Sequence, residues 1–447
     1  MHTFNTLKKT DPLVHTIIRD EIKRQADTLM LIPSENYASQ AVEEALGSAF
    51  GNKYAEGYPT RRYYQGNEFA DQIEALCVER AKALFGVPYV NVQPHSGSPA
   101  NLAVEIATLE PGDTFMGLAL SAGGHLTHGA RFTAGSKFFK SVQYEVTPDG
   151  FLDYDAIEKL ALAEKPKLII AGTTAYPRII DWKRFAAIAK KVNAWLMADI
   201  AHLAGLVAGG AYPSPVAYAD IITTTTHKSL RGPRGAMIMI TEKGLLKDPT
   251  LPKKMNSAII PGIQGGPHLN SIAALAVALQ EAHSPKFKRY AAHIIKNANV
   301  LSTTLQKGGM RLTTGGTDSH LLVADMSPYG ILGNTMAEAC EAAGLVLNRN
   351  SVPFDPNPPF YPSGIRLGTP AVTSRAMKSK EMRMIAQWLL TIAHDVGEVA
   401  AADSHTTTAQ KSAEIRSQII KKTRSLAQIR AAVKTLCRAF PIPEQYI

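Results

Sequence analysis

The chain has 447 residues, 45% of them hydrophobic and 19% charged, with 33 glycines and 27 prolines. This composition is typical of a soluble globular protein and excludes the disordered and fibrous classes, and a chain of this length completes its core without disulfides or a structural metal. Lys and Arg exceed Asp and Glu by ten, an excess that favours anionic ligands.

Helices and buried strands alternate through the first 280 residues. Apolar residues recur at helical spacing over residues 69–85, 99–109 and 181–193, which predicts three helices. Short aliphatic runs bounded by Gly, Pro or Asp predict buried strands at residues 167–172, 194–199, 220–226 and 235–240. This alternation indicates an α/β domain with a mostly parallel sheet between helices, in which ligands bind beyond the carboxyl ends of the strands.

After about residue 280 the pattern changes to that of a smaller α+β domain. A long helical stretch precedes a strand-like run at residues 320–325, a helix that ends near residue 344 and a proline-rich loop at residues 352–363. We therefore predict a domain of residues 1–280, formed by an N-terminal arm and the large ligand-binding domain, and a small C-terminal domain of residues 281–447.

The last 47 residues contain eight basic and three acidic side chains, so half of the net charge lies there. Within them, apolar residues spaced three or four apart predict a helix that packs one face and exposes its charges: Leu426, Ile429, Val433 and Leu436. The sequence has no RNP-type aromatic motif, zinc-finger spacing or RGG repeat, so we expect no nucleic-acid partner.

The cysteines and the N-terminus predict a cytoplasmic protein. Cys77, Cys340 and Cys437 form neither a CxxC motif nor a metal-binding spacing with histidine, so we expect reduced thiols. The N-terminus lacks a basic segment followed by an apolar core, and every apolar run is too short to cross a bilayer. We therefore expect no membrane partner.

A lysine follows the strand predicted at residues 220–226. His227 and Lys228 lie at its carboxyl end, before a loop rich in glycine and arginine. A desolvated lysine has a lowered pKa and can attack an aldehyde cofactor, but a lysine that only extends its amine into solvent fits the position equally well.

A carboxylate at a neighbouring strand end favours the catalytic interpretation. Asp199 ends the strand predicted at residues 194–199, and His202 follows it. A carboxylate there can pair with the ring nitrogen of pyridoxal phosphate (PLP), although an acid after a strand is more often a helix N-cap. The turn at residues 95–98 opens a helix whose free N–H groups can bind phosphate, although most such turns are only caps.

Three further positions have two interpretations each. His125 and His128 lie in a glycine-rich loop without a third metal ligand, so we expect no metal site, and an imidazole there can stack on a flat cofactor. Arg366, between small residues, suits a carboxylate ligand, and Glu56, among tyrosines, suits an acid or base. The alternatives are that Arg366 is an ordinary surface arginine and that the tyrosines around Glu56 are hydrogen-bonded core residues.

Taken together, the chain resembles serine hydroxymethyltransferase, a PLP enzyme of the aspartate-aminotransferase fold class. The resemblance covers residues 10–395 and implies PLP-dependent transferase fold type I, with a large domain and a smaller α+β C-terminal domain. The matching motifs, in order, are LIPSEN at 31–36, NKYAEG at 52–57, HSGS at 95–98, GGHLTHG at 123–129, and the segments 223–235, 261–267 and 363–370.

The resemblance also implies roles for individual residues. Lys228 is expected to hold PLP as an internal aldimine, with His227, Glu56 and Tyr64 as the other catalytic residues. The remaining cofactor contacts are Asp199 at the ring nitrogen, His125 stacked on the ring, Thr174 and His202 near the phenolic oxygen, and Ser96, Gly97 and Ser98 on the phosphate.

Substrate binding and assembly are implied in the same way. Arg366 is expected to bind the amino-acid carboxylate, with Ser34, Tyr64 and His202 also contacting the substrate. Tetrahydrofolate is expected to contact Glu56, Leu120, Gly124, His125, Leu126 and Asn350. In the family a second subunit completes each site, which implies a homodimer, or a tetramer, in which the residues contributed by the partner are Tyr54, Glu56, Tyr64, Gly265 and Gly266.

The implied reaction is the reversible conversion of L-serine and tetrahydrofolate to glycine and 5,10-methylenetetrahydrofolate. The alternative is a related PLP-dependent β-hydroxy amino acid aldolase or a methylserine hydroxymethyltransferase. Three departures from the family pattern concern single residues: Pro99 stands where glutamine is common, Thr174 replaces the usual serine, and Glu105 stands where an aromatic residue is frequent. Ser121 and Ala122 also replace the usual Ala-His pair beside the expected folate site.

Overall fold

The computed structural model describes residues 4–443, and by its contacts the chain divides into two units. The larger unit is residues 41–292, and the smaller combines the residues up to Gln40 with those from His293 onward. This division differs from the predicted boundary at residue 280. The first 40 residues group with the C-terminal part because the strand Leu29–Met30 pairs in parallel with the strand Leu345–Val346.

Fifteen strands and eighteen α-helices lie within residues 4–443. The strands are β1 Leu29–Met30, β2 Gly57–Tyr58, β3 Arg61–Arg62, β4 Tyr89–Asn91, β5 Thr114–Leu118, β6 Lys140–Tyr144, β7 Leu168–Gly172, β8 Trp195–Asp199, β9 Ile221–Thr225, β10 Ala236–Ile240, β11 Arg311–Leu312, β12 Leu321–Asp325, β13 Leu345–Val346, β14 Asn348–Asn350 and β15 Gly364–Gly368. The helices are α1 Asn5–Thr10, α2 Pro12–Asp27, α3 Gln40–Leu46, α4 Glu68–Phe85, α5 Gly97–Thr108, α6 Gly135–Phe138, α7 Tyr154–Glu164, α8 Trp182–Lys191, α9 Ala204–Ala208, α10 Glu242–Lys247, α11 Leu251–Ser257, α12 Leu269–Ala282, α13 Pro285–Lys307, α14 Gly333–Ala342, α15 Pro370–Ser374, α16 Ser379–Ala402, α17 Ala413–Lys422 and α18 Ser425–Ala439.

The larger unit is built on a seven-stranded sheet flanked by helices, with strand order β4-β10-β9-β8-β7-β5-β6. The strands β5 to β9 run parallel, and β10 is antiparallel to both of its neighbours. The four strands and three helices predicted here are all present, as β7 to β10, α4, α5 and α8. Asp181 begins α8 by accepting the backbone N–H of Arg184, and Gly86 ends α4 with φ +68°.

The smaller unit contains an antiparallel sheet of order β11-β12-β15-β14. The predicted strand at residues 320–325 is β12, and the helix predicted to end near residue 344 is α14. The C-terminal helix α18 buries Leu426, Ile429, Val433 and Leu436, as its spacing predicted. Within residues 4–443, no helix combines the length and hydropathy that a membrane span requires.

Candidate active site

Two residues predicted to bind the cofactor lie at neighbouring strand ends of the larger unit. Asp199 ends β8, where it pairs in register with Thr223 of the parallel strand β9. Lys228 follows β9 by three residues, and its Nζ donates a hydrogen bond to Oγ1 of Thr225 at 2.9 Å. The sheet therefore carries a carboxylate and an amine at the same edge, where open α/β sheets bind ligands. Sequence analysis did not identify Thr225 as a site residue.

Asp199 is buried, and both oxygens of its carboxylate are hydrogen-bonded. Its Oδ2 accepts from Asn101 Nδ2 at 2.9 Å and lies 3.0 Å from His128 Nε2, while Oδ1 accepts the N–H of Ala201 at 3.0 Å. The Nδ1 of His128 accepts the N–H of His125, so the ring proton lies on Nε2 and is donated to Asp199. Burial alone would raise the pKa of Asp199, but the hydrogen bonds from His128 and Asn101 hold it well below its usual range.

The Asp199 carboxylate is thus an anion whose orientation is fixed. Sequence analysis assigned Asn101 no role and considered His128 only as a metal ligand. The spacing of two histidines three residues apart was the signal for His128, but that spacing does not indicate which atom the ring contacts. Asn101, on α5, is separated from Asp199 by 98 positions in the sequence, so only the fold brings them together.

His125 is a neutral imidazole. Burial lowers its pKa to about 4, and its Nδ1 lies 2.8 Å from Oγ1 of Thr127. The same hydroxyl oxygen accepts a hydrogen bond from Asn101, so the ring of His125 and the carboxylate of Asp199 belong to one network. A flat, uncharged and oriented ring is suited to stacking on an aromatic cofactor.

The glycine-rich loop beside His125 is held by Thr174. The hydroxyl of Thr174 lies 3.2 Å from the carbonyl oxygen of Gly123 and 3.0 Å from that of Gly124. A Cβ at Gly124 would lie 1.9 Å from the carbonyl oxygen of Leu118, so this loop requires glycine there. Leu120 and Leu126, predicted to contact folate, are 38% and 41% exposed and offer an apolar surface to a ligand.

Two histidines are connected to the segment of Lys228, His227 as its neighbour in sequence and His202 through a hydrogen bond from Ser229. Burial, together with the positive charges of Lys228 and Arg234, lowers the pKa of His227 to about 3, so its ring is neutral. Its Nδ1 is buried and has no hydrogen-bond partner among residues 4–443. His202 is buried, and its carbonyl oxygen accepts the hydroxyl of Ser229, the residue after Lys228.

The residues predicted to bind phosphate form the start of α5. Ser96 is the N-cap, and its hydroxyl makes no hydrogen bond to the helix, so the first N–H groups of the helix are open. Ser96 and Ser98 are exposed. A Cβ at Gly97 would lie 2.8 Å from Cγ2 of Thr225, so the absent side chain lets the helix start approach the strand end that precedes Lys228. This arrangement fits a phosphate beside the lysine.

A second cluster in the larger unit unites the segments 54–64 and 265–266. The hydroxyl of Tyr54 lies 3.3 Å from Oε1 of Glu56, and its ring contacts that of Tyr64 edge to face at 5.2 Å. Ideal Cβ atoms at Gly265 and Gly266 would lie 3.3 Å from Glu56 Oε1 and 3.5 Å from Tyr54 Cζ. The negative charge of Glu56 raises the pKa of Tyr54. Tyr54 and Tyr64 are exposed, so this cluster is open to a ligand or a second chain.

In the smaller unit, Arg366 lies on β15 and donates from Nε to Asn348 Oδ1 of β14 at 3.1 Å. Burial lowers its pKa to about 10, so it remains a cation at neutral pH. A partly buried guanidinium of this kind is suited to a carboxylate ligand. The other two predicted binding residues of this unit are Ser34, in the loop after β1, and Asn350, at the end of β14.

Comparison with known proteins identifies the family of this chain. The family model described as serine hydroxymethyltransferase matches residues 7–389. The chain belongs to this family. Three similar proteins named serine hydroxymethyltransferase come from Acidothermus cellulolyticus (56% identical, 86% of this chain and 88% of that protein), Legionella pneumophila strain Lens (50%, 98% and 98%) and Desulfotalea psychrophila (48%, 98% and 96%).

The resemblance inferred from seven motifs is therefore confirmed. Also confirmed are the fold class, fold type I with a mostly parallel central sheet, and the assignment to the PLP-dependent enzymes. Serine hydroxymethyltransferases use PLP as cofactor and tetrahydrofolate as co-substrate. The roles of individual residues remain predictions.

Proposed function

We propose that this chain catalyses the reversible conversion of L-serine and tetrahydrofolate to glycine and 5,10-methylenetetrahydrofolate, with PLP bound at Lys228. One observation carries the proposal. A buried, anionic Asp199 ends one strand, and the amine of Lys228 lies just beyond the end of the neighbouring strand. A bound PLP can reach both groups because they lie at the same end of neighbouring parallel strands.

The cofactor has a partner for each of its polar groups. The open N–H groups of Gly97 and Ser98 and the hydroxyls of Ser96 and Ser98 would bind the phosphate, and Asp199 would pair with the ring nitrogen. The neutral ring of His125 would stack on the cofactor, and Thr174 and His202 would lie near its phenolic oxygen. When bound there, PLP supplies the electron sink for cleavage at the substrate α-carbon.

Side chains of this protein, contributed by both subunits, bind the substrates and move the substrate proton. Arg366 and Ser34 bind the serine carboxylate, with Tyr64 and His202 also in contact with the amino acid. Glu56 holds and moves the proton of the hydroxymethyl group, and the neutral His227 lies next to the lysine and affects reaction specificity. Folate contacts Glu56, Gly124, His125, Asn350 and two exposed leucines, Leu120 and Leu126.

The active unit is a cytoplasmic homodimer or tetramer in which subunits share their sites. Tyr54, Glu56 and Tyr64, with the Gly265–Gly266 backbone, complete the site of the partner. The exposure of Tyr54 supports this arrangement. So does helix α2, which has no buried residue and exposes Leu13 and Ile17 on one face, a feature typical of a surface that another chain covers.

An assay of serine cleavage with and without tetrahydrofolate tests the reaction. We expect glycine formation to accelerate strongly when tetrahydrofolate is added, and Lys228→Ala to lose both the activity and the visible absorption band of the bound cofactor. Equal rates without tetrahydrofolate would instead support the aldolase alternative. A wild-type protein that stays colourless after PLP is supplied would contradict the cofactor assignment.

A further inference from the structure

One arginine holds the hairpin that carries Glu56. The side chain of Arg62, on β3, is 3% exposed, and its Nη1 donates to the carbonyl oxygens of Ala55 and Gly57 at 3.0 Å each. These residues immediately precede and follow Glu56. The carbonyl oxygen of Glu56 itself accepts the N–H of Tyr63 at 2.9 Å. Three consecutive carbonyl groups are thus fixed, and together they fix the direction of the Cα–Cβ bond of Glu56.

The guanidinium of Arg62 is itself anchored to the body of the larger unit. Its Nε pairs with Asp71 at 2.8 Å and its Nη2 with Glu74 at 2.6 Å, both residues of α4. Gln93, two residues after β4, donates from Nε2 to Glu74 at 2.8 Å and to the carbonyl of Gly57 at 3.0 Å. Four of the five N–H donors of Arg62 are therefore used, and the hairpin is joined to a helix and to the end of a strand.

The hairpin backbone needs this support because Thr60 has an unfavourable conformation, whereas the positive φ of Gly57 is one that glycine tolerates. Gly57 has φ +97°, and a Cβ there would lie 2.4 Å from the carbonyl oxygen of Arg61. Thr60 has φ +66°, a region that costs a residue with a side chain, and its N–H is held by Asp71 at 2.7 Å. Without the contacts of Arg62 and Asp71, the segment around Glu56 would relax to other conformations.

We propose that Arg62 is a positioning residue for Glu56. It fixes the main chain on both sides of the carboxylate that moves the substrate proton, and it acts through the backbone alone. Displacement of a catalytic group by about 1 Å costs roughly 100-fold in rate, so loss of Arg62 lowers kcat. Serine affinity changes little, because Arg366 and Ser34 bind the carboxylate. This inference rests on the function proposed above.

The first test is Arg62→Lys, which keeps the charge but has too few donors to reach two carbonyls and two carboxylates. We expect kcat to fall 10- to 100-fold, the serine KM to stay within about twofold, and the visible band of bound PLP to be unchanged. Arg61→Lys is the matched control, since Arg61 is the exposed neighbour on the same strand. It should retain the wild-type kcat.

A double-mutant cycle with Glu56→Gln separates positioning from a general structural effect. If Arg62 acts by orienting Glu56, Arg62→Lys should lower kcat by less than threefold in the Glu56→Gln background. A general distortion would lower kcat equally in both backgrounds, and that result would overturn the proposal.

The proposal would also be overturned by a folded Arg62→Lys enzyme whose kcat is within twofold of wild type. If this variant does not fold, the double variant Arg62→Met/Glu74→Met decides by the same criteria, because it removes both members of the buried pair, and the Asp71 carboxylate that remains is partly exposed to solvent. Failure of the proposed function would be seen in the wild-type protein and not in the variants, because the wild type itself would lack tetrahydrofolate-dependent serine cleavage.

Discussion

A carboxyl group lies buried in α5, the helix that begins at the proposed phosphate site. Glu105 is 2% exposed, and an ideal Cβ at Gly135 would lie 2.0 Å from its Oε2, so the side chain packs directly against that glycine. Burial raises its pKa to about 8 from an ordinary value of 4.5. An acid here thus occupies a buried site that is suited to an apolar side chain.

The raised pKa of Glu105 predicts a loss of stability with increasing pH. The folded state binds one more proton than the unfolded state between pH 4.5 and about 8, so the free energy of unfolding falls across that window. At ~1.4 kcal/mol per pKa unit, the loss is of the order of 5 kcal/mol over the whole window. Glu105→Gln should abolish it, as measured by urea unfolding at pH 5.5 and pH 8.5.

Glu110→Gln, a change at an exposed glutamate after the same helix, is the control and should keep the wild-type pH dependence. If Glu105→Gln and wild type show the same difference in unfolding free energy at both pH values, the titration of Glu105 does not affect stability.

At the scale of elements, a buried arginine joins the ends of α2 and α18. Arg375 donates to the carbonyl oxygens of Thr28 at 2.7 Å, Phe440 at 2.6 Å and Cys437 at 3.0 Å. Carbonyl groups at helix C-termini lack partners within the helix, and a cation there also complements the helix dipole. The basic C-terminal segment is therefore part of the core, and its charges are not all solvated: Arg416 is buried and pairs with Glu338 at 2.7 Å.

Loss of this arginine should destabilise the protein strongly. Arg375→Met leaves buried carbonyl groups without donors, and each costs about 1 to 3 kcal/mol. We expect the free energy of unfolding to fall by at least ~3 kcal/mol, measured by urea denaturation and circular dichroism. Arg438→Met is the control. It removes an exposed cation from α18, one of the two helices that Arg375 joins, and should change stability by less than ~0.5 kcal/mol. Equal effects of the two variants would contradict this role of Arg375.

At the scale of the whole molecule, small anionic ligands account for the positive net charge. The excess of ten basic residues first suggested a polyanion, but phosphate, the serine carboxylate and folate are anions too. Half of the excess lies in the C-terminal segment, where part of it is structural. The charge therefore remains only a source of electrostatic attraction for small acidic ligands.

Shared active sites predict that two inactive variants restore each other. In a heterodimer of Lys228→Ala and Tyr54→Ala subunits, one site combines an intact Lys228 with the partner's intact Tyr54. Random mixing by unfolding and refolding should therefore recover about a quarter of the wild-type activity. Lys228→Ala mixed with Asp199→Ala is the control: both residues belong to the same subunit's site, so no activity should return. Absence of recovery in the first mixture would contradict the shared site.

The sequence alone determined the features that depend on local order. Hydrophobic periodicity and boundaries of Gly, Pro and Asp located β7 to β10. The motifs placed Asp199 and Lys228 at strand ends and identified the family. Each of these signals is contained within a few neighbouring residues. The antiparallel direction of β10 and the grouping of the first 40 residues with the C-terminal unit were not predicted, since strand pairing carries no local signal.

Only the tertiary structure decided which side chains orient the groups proposed to act in the site. Asn101 and His128 meet Asp199 across 98 and 71 positions, and Gln93 reaches the carbonyl of Gly57 across 36. An isolated asparagine, glutamine or arginine has no distinctive spacing, and its partner depends on how helices and strands pack. The residue types proposed for the site were therefore available from the sequence, whereas the orientation of Asp199 and Glu56 follows from long-range packing.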